Sequence, residues 1–176
     1  MRKLAILTAL ALGLATQAPA HATFEQKEAV QGARTKLTIR IGHGCGEEAT
    51  LRVRVAIPEG MIRVQAGVHP GWTVETIDGA YAKSYEDRGA TLTEGVKEIV
   101  WEGELPSGLY DEFIFRAVFS DQLPAGEPVY IPIVQECANG AQRWIEIPAE
   151  GQSSRDLPKP APSVMVVAPA PAEHAH

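Results

Sequence analysis

The chain has 176 residues, 16 basic against 22 acidic, for a formal net charge of -6, with 45% hydrophobic residues. That length suits one domain with a sizeable core plus a tail. The acidic balance argues against a nucleic-acid partner, which demands a basic face.

The first twenty residues read as a secretory signal. Arg2 and Lys3 make a basic start, Leu4 to Leu14 is apolar, and Ala18-Pro19-Ala20 is a small-residue cleavage site. The run is too short to span a bilayer, and no second hydrophobic run follows, so no membrane anchor is expected. Cleavage after Ala20 removes two bases and no acid, leaving 14 basic against 22 acidic residues and a charge of -8. A competing site, Ala20-His21-Ala22, would instead start the secreted chain at Thr23.

Cutting before His21 makes this histidine the amino terminus. A terminal histidine chelates a metal through its free α-amine and Nδ1, a ring that an internal histidine cannot close because its nitrogen is an amide. Nitrogen donors in a tetragonal arrangement favour Cu(II).

Beyond His21 the pattern is of short strands. Lys36 to Ile41 and Leu51 to Ile57 alternate polar and apolar residues. Further strands are expected at Ile62 to Val64, Trp72 to Ile77, Lys97 to Glu102, Tyr110 to Phe119, Val129 to Gln135 and Arg143 to Ile147. Turn signals such as Pro58-Glu59-Gly60, His69-Pro70-Gly71 and Pro106-Ser107-Gly108 separate them. Without helical periodicity, this spacing indicates an all-β, immunoglobulin-like sandwich over residues 21–150. Residues 151–176 turn to Pro, Ala and charge and read as a flexible tail, although Leu157 to Val167 can lie along the sandwich. The tail's two terminal histidines, His174 and His176, offer only loose metal binding.

Cys45 and Cys137 are the only cysteines, and a pair in an exported chain is most simply a disulfide. Closing a loop of about ninety residues stabilises a fold by about 4 to 5 kcal/mol in the chain-entropy model. If the chain turns between Glu28 and Thr35, with Gly32 permitting the reversal, and pairs back with Lys36 to Ile41, His21 falls beside Ile41 to His43. The disulfide would then draw the Asn139-Gly140 hairpin, with Trp144 on its return strand, to the same end as His43, Glu47 and Glu48. A third copper donor is sought among His43, Glu47, Glu48 and Glu28. Each has an ordinary alternative as a loop or solvated residue, and Trp144 is either core or an apolar wall beside the metal.

His21-Ala22-Thr23-Phe24-Glu25, Glu28-Ala29 with Gly32, His43-Gly44-Cys45, Ile57-Pro58-Glu59-Gly60, Pro70-Gly71-Trp72, Tyr110-Asp111-Glu112-Phe113, and the hairpin from Val134 to Pro148 together resemble the YcnI-like family (DUF1775). The resemblance runs from His21 to about Leu157. It implies an exported bacterial β-sandwich that binds Cu(II) through a monohistidine brace, the amine and imidazole of the first mature residue. A glutamate would assist, and a tryptophan would stand close by. Carried over, the brace falls on His21 and the tryptophan on Trp144, while the glutamate remains open among Glu28, Glu47 and Glu48. The cysteines, His43 and the soluble tail fit the proteobacterial branch. A periplasmic copper chaperone is the implied partner.

The expected function is therefore periplasmic copper storage, buffering or delivery without turnover. A copper-dependent oxidative enzyme using His43 as a second histidine, and a metal-free interaction module, are the alternatives. No nucleophile elbow or His-Glu-x-x-His run suggests a hydrolase.

Overall fold

The computed structural model describes residues 21–171. The signal read over residues 1–20 and the histidines at 174 and 176 lie outside the described residues.

Within them the chain forms β1 (Thr23–Phe24), β2 (Glu28–Val30), β3 (Arg34–Ile41), β4 (Thr50–Ala56), β5 (Met61–Ala66), β6 (Thr73–Asp87), β7 (Ala90–Leu105), β8 (Asp111–Phe119), β9 (Pro128–Tyr130), β10 (Ile133–Cys137), β11 (Ala141–Trp144) and β12 (Ser163–Val167). A short 3-10 turn spans Ser154–Asp156. One sheet has the order β1-β3-β8-β5 and the other β11-β10-β4-β7-β6, with a small third sheet β2-β12-β9.

The alternation that marks β3 and β4 in sequence fills the space between the sheets. Leu37, Ile39 and Ile41 from β3 meet Val53 and Val55 from β4 in one buried cluster that also holds Trp101, Phe113, Phe115 and Trp144. Apolar area removed from water there is the main favourable term for the fold. On the outward side of β4, Arg52 pairs with Glu136 at 3.0 Å and also with Glu102, while Arg54 pairs with Glu98 at 2.7 Å and Glu136 at 3.2 Å. Burial alone would raise the Glu136 carboxyl, but the two guanidiniums hold it below the usual range.

The reversal expected around Gly32 forms: its φ of 73° is left-handed, where glycine carries no Cβ penalty, and the strand after His21 pairs antiparallel with β3 as expected, Thr23 opposite Arg40 and Phe24 opposite Ile39. Within the reversal β2 runs parallel to β12, with Glu28 opposite Met165. Two expectations are corrected. The stretch Val129 to Gln135 is two strands, because Pro132 has no N–H for a ladder and the chain there passes from the third sheet to the five-stranded one. The hairpin of β6 and β7 is far longer than Trp72 to Ile77 and Lys97 to Glu102 suggested. It closes at Arg88 and Gly89, whose φ values of 53° and 78° are both positive, as a two-residue hairpin turn of the right twist requires.

The folded region also passes the boundary expected at Gly151. Ala161, Val164 and Val166 are buried in the common core, so the segment from Leu157 to Val167 does lie along the sandwich.

Candidate functional site

β1 is the edge strand of its sheet. Ala22 and Phe24 point into the core at 3% and 1% exposure, and Thr23 faces outward. His21 therefore falls on the Thr23 side, where it is half-buried.

It lines a groove of about 550 Å³ together with Thr23, Lys27, Ser154, Arg155 and the stretch Pro160 to Ser163. That far wall is built from the C-terminal segment. The backbone N–H groups of Ile145 and Glu146 donate to the Lys159 carbonyl at 3.2 and 3.1 Å, and Ala161 N–H donates to the Glu146 carbonyl at 2.8 Å. The Glu146 carboxylate accepts from Lys159 N–H at 2.6 Å.

Trp144 stands just before this junction. It is 2% exposed and shares the buried cluster of Ala22 and Phe24. Its partner across the hairpin is Ile133, four positions from Cys137, which is about 13 Å along a strand. The expectation that the disulfide draws Trp144 to the His43 loop is thus corrected: Trp144 sits at the other end of the hairpin and leads into the wall of the His21 groove.

The disulfide itself forms, Cys45 to Cys137, with Cα atoms 6.1 Å apart. It holds the loop from His43 to Glu48 over the tip of β10. A Cβ on Gly44 would lie 1.9 Å from the Glu48 carbonyl oxygen, so only glycine fits there. His43 has Nδ1 within 2.6 Å of the Gly44 carbonyl oxygen, and its own carbonyl accepts from Gln135 Nε2 at 2.6 Å. Glu48 accepts from the Asn139 backbone N–H at 2.9 Å and from its side-chain amide at 2.8 Å. Those two bonds, the side-chain amide first, hold the Glu48 carboxyl below the usual carboxylate range. Glu47 is exposed at the tip of the loop, and Glu28 is exposed on the small third sheet. Among the described residues no three His, Cys, Asp or Glu side chains are grouped so as to hold a metal ion.

Sequence reasoning missed Lys27 and Arg155, because nothing local announces that residues 154–163 return to β1. It also missed a half-buried pair, His69 Nε2 to Asp111 Oδ2 at 2.8 Å, with the imidazole tilted on Phe113 at 4.8 Å between ring centres. The sequence marked His69 only as part of a turn and Asp111 only as the start of a strand.

No helix among the described residues is long and apolar enough to cross a membrane. A family model described as a domain of unknown function (DUF1775) matches residues 21–166. Among solved structures, the chain is similar to an uncharacterized protein from Nocardia farcinica with an immunoglobulin-like fold. The two share 22% identity over 84% of this chain and 99% of that one, with a TM-score of 0.61. Comparison with curated proteins returns no match.

Proposed function

The chain belongs to the DUF1775 family, a domain of unknown function, and we propose that it is a periplasmic Cu(II)-binding protein with its chemistry at residue 21. In this reading His21 heads the mature chain and clamps the ion through its α-amine and Nδ1, serving storage, buffering or delivery to a copper chaperone.

The observation that carries the reading is the position of His21. The family match begins at this residue, and its side chain opens onto a groove walled by the C-terminal segment. Its neighbours fit a two-nitrogen chelate: the ring is half-buried at an edge strand, and the amine of a chain cut at this point would emerge at the same place. Trp144 is buried in the core cluster that holds Ala22 and Phe24, the residues on either side of Thr23. A disulfide is at home in an oxidising compartment, which supports export.

Copper binding releases protons from both nitrogens, so affinity falls on acidification. The test is electron paramagnetic resonance of the exported protein with Cu(II), its first residue fixed by mass spectrometry. Two nitrogen couplings that disappear in His21→Ala, and that a single extra residue before His21 also removes, are expected. A spectrum unchanged by the extra residue overturns the brace.

A further inference from the structure

The groove beside His21 carries charge of one sign. The chain has 22 acidic against 16 basic residues, yet no Asp or Glu lines this groove, whereas Lys27 and Arg155 both do, with hydroxyls from Thr23, Ser154 and Ser163. Chance placement on an acidic protein favours the reverse.

Both cations are available. Lys27 Nζ donates to the Phe24 carbonyl at 2.8 Å, which holds the ammonium at the end of β1 with two donors to spare. Arg155 rides on the 3-10 turn, where its backbone N–H donates to Ser153 Oγ at 3.2 Å. Neither forms an ion pair among the described residues. Of the nearby acids, Glu25 pairs with Arg40 at 3.3 Å and Glu146 accepts from Lys159 N–H, while Glu28 and Asp156 are exposed and do not line the groove.

We propose that this groove binds a small oxyanion, carboxylate or phosphate, held by Lys27, Arg155 and the flanking hydroxyls. Charge-assisted bonds of this kind are about twice as strong as neutral ones, and an arginine fork matches both anions. At about 550 Å³ the groove has the size of a small-molecule site. Resting on the copper reading above, a second consequence follows: an anion bound in the groove that His21 lines supplies an oxygen donor to the ion.

The test begins without metal. Calorimetric titration of the exported metal-free protein with citrate, and separately with inorganic phosphate, at low salt is expected to show one saturable site. Arg155→Ala and Lys27→Met should each weaken it about tenfold or more, while Lys36→Ala, on the outer face of β3, leaves it unchanged. The arm that binds tighter identifies the class of anion. Absence of a saturable site for either anion, or equal affinity in the Arg155→Ala/Lys27→Met double variant, overturns the proposal. In the second step, pulsed paramagnetic resonance of the Cu(II) form is expected to show coupling to the ³¹P of phosphate or to ¹³C-labelled citrate, lost in Arg155→Ala. Metal-free anion binding that persists when an extra residue before His21 abolishes copper supports the groove as an anion site in its own right. Loss of anion binding with copper coordination intact overturns the groove and leaves the brace standing.

Discussion

Thr23 lies directly opposite Arg40 across the antiparallel ladder of β1 and β3, with Phe24 opposite Ile39. Two residues earlier in this register His21 comes level with Gly42, just past the end of β3. The position of the proposed copper ligand is thus fixed by the burial of Phe24 in the core. A chain processed before Thr23 would fold alike but lack both nitrogens. Exported protein beginning at Thr23 is expected to show no amine-imidazole signature by paramagnetic resonance, with an unchanged far-ultraviolet circular dichroism spectrum.

Glu48 is committed to Asn139 through both carboxylate oxygens. Glu48→Ala should therefore leave Cu(II) affinity at the wild-type value in a competition titration. Its carboxyl is held below the usual range in the folded state, so its contribution is present above the ordinary carboxyl range and is lost as pH falls through the lowered value. The substitution should therefore lower stability slightly at neutral pH, and the difference from wild type should vanish as pH falls through the lowered value, measured by urea denaturation across a pH series.

Trp144 is buried in the core cluster with Ala22 and Phe24. Trp144→Ala is expected to cost about 3 to 5 kcal/mol, the range for truncating a large aromatic in a core, measured by urea denaturation. Trp144→Phe should keep most of that stability, so any change in its copper spectrum reports on the wall beside the ion.

Removing the disulfide as Cys45→Ser/Cys137→Ser should destabilise the fold by about 4 kcal/mol, because the bridge closes a long loop in the unfolded chain. Differential scanning calorimetry checks the size. The folded double variant is expected to retain copper binding, because no residue of the His43 to Glu48 loop lines the His21 groove.

Tyr85 is fully buried, and its hydroxyl donates to Glu59 Oε2 at 2.9 Å. Burial first, and then that carboxylate, push the phenol up to about 12. A raised folded value means that its contribution is complete below the ordinary tyrosine range near 10 and declines as pH rises from there through about 12. Ultraviolet titration should show one tyrosine ionising late, near unfolding, and Tyr85→Phe should remove that component.

Much was legible in the sequence because its signals are local. β3 and β4 alternate cleanly, so their inward residues could be named, and the register that sets Thr23 against Arg40 followed from a reversal before Lys36. Two cysteines and no others left only one possible pairing, and it forms. The family resemblance, shown at the level of DUF1775, rested on short motifs in order. The turn at Arg88-Gly89, by contrast, carries no Asn-Gly or Asp-Gly signature, so the long arm of β6 and β7 was not seen.

The place of His21 after an apolar, small-residue-ended stretch, on which the proposed cleavage and chelation rest, belongs to the amino-acid order alone, since covalent structure determines it. What surrounds His21 was decided only by folding. Lys27 and Arg155 are far apart along the chain and meet at one groove because Val164 and Val166 bury themselves in the sandwich core. That burial is a non-local hydrophobic effect, which no short window of sequence contains, and it sets a cationic groove beside His21 on an acidic protein.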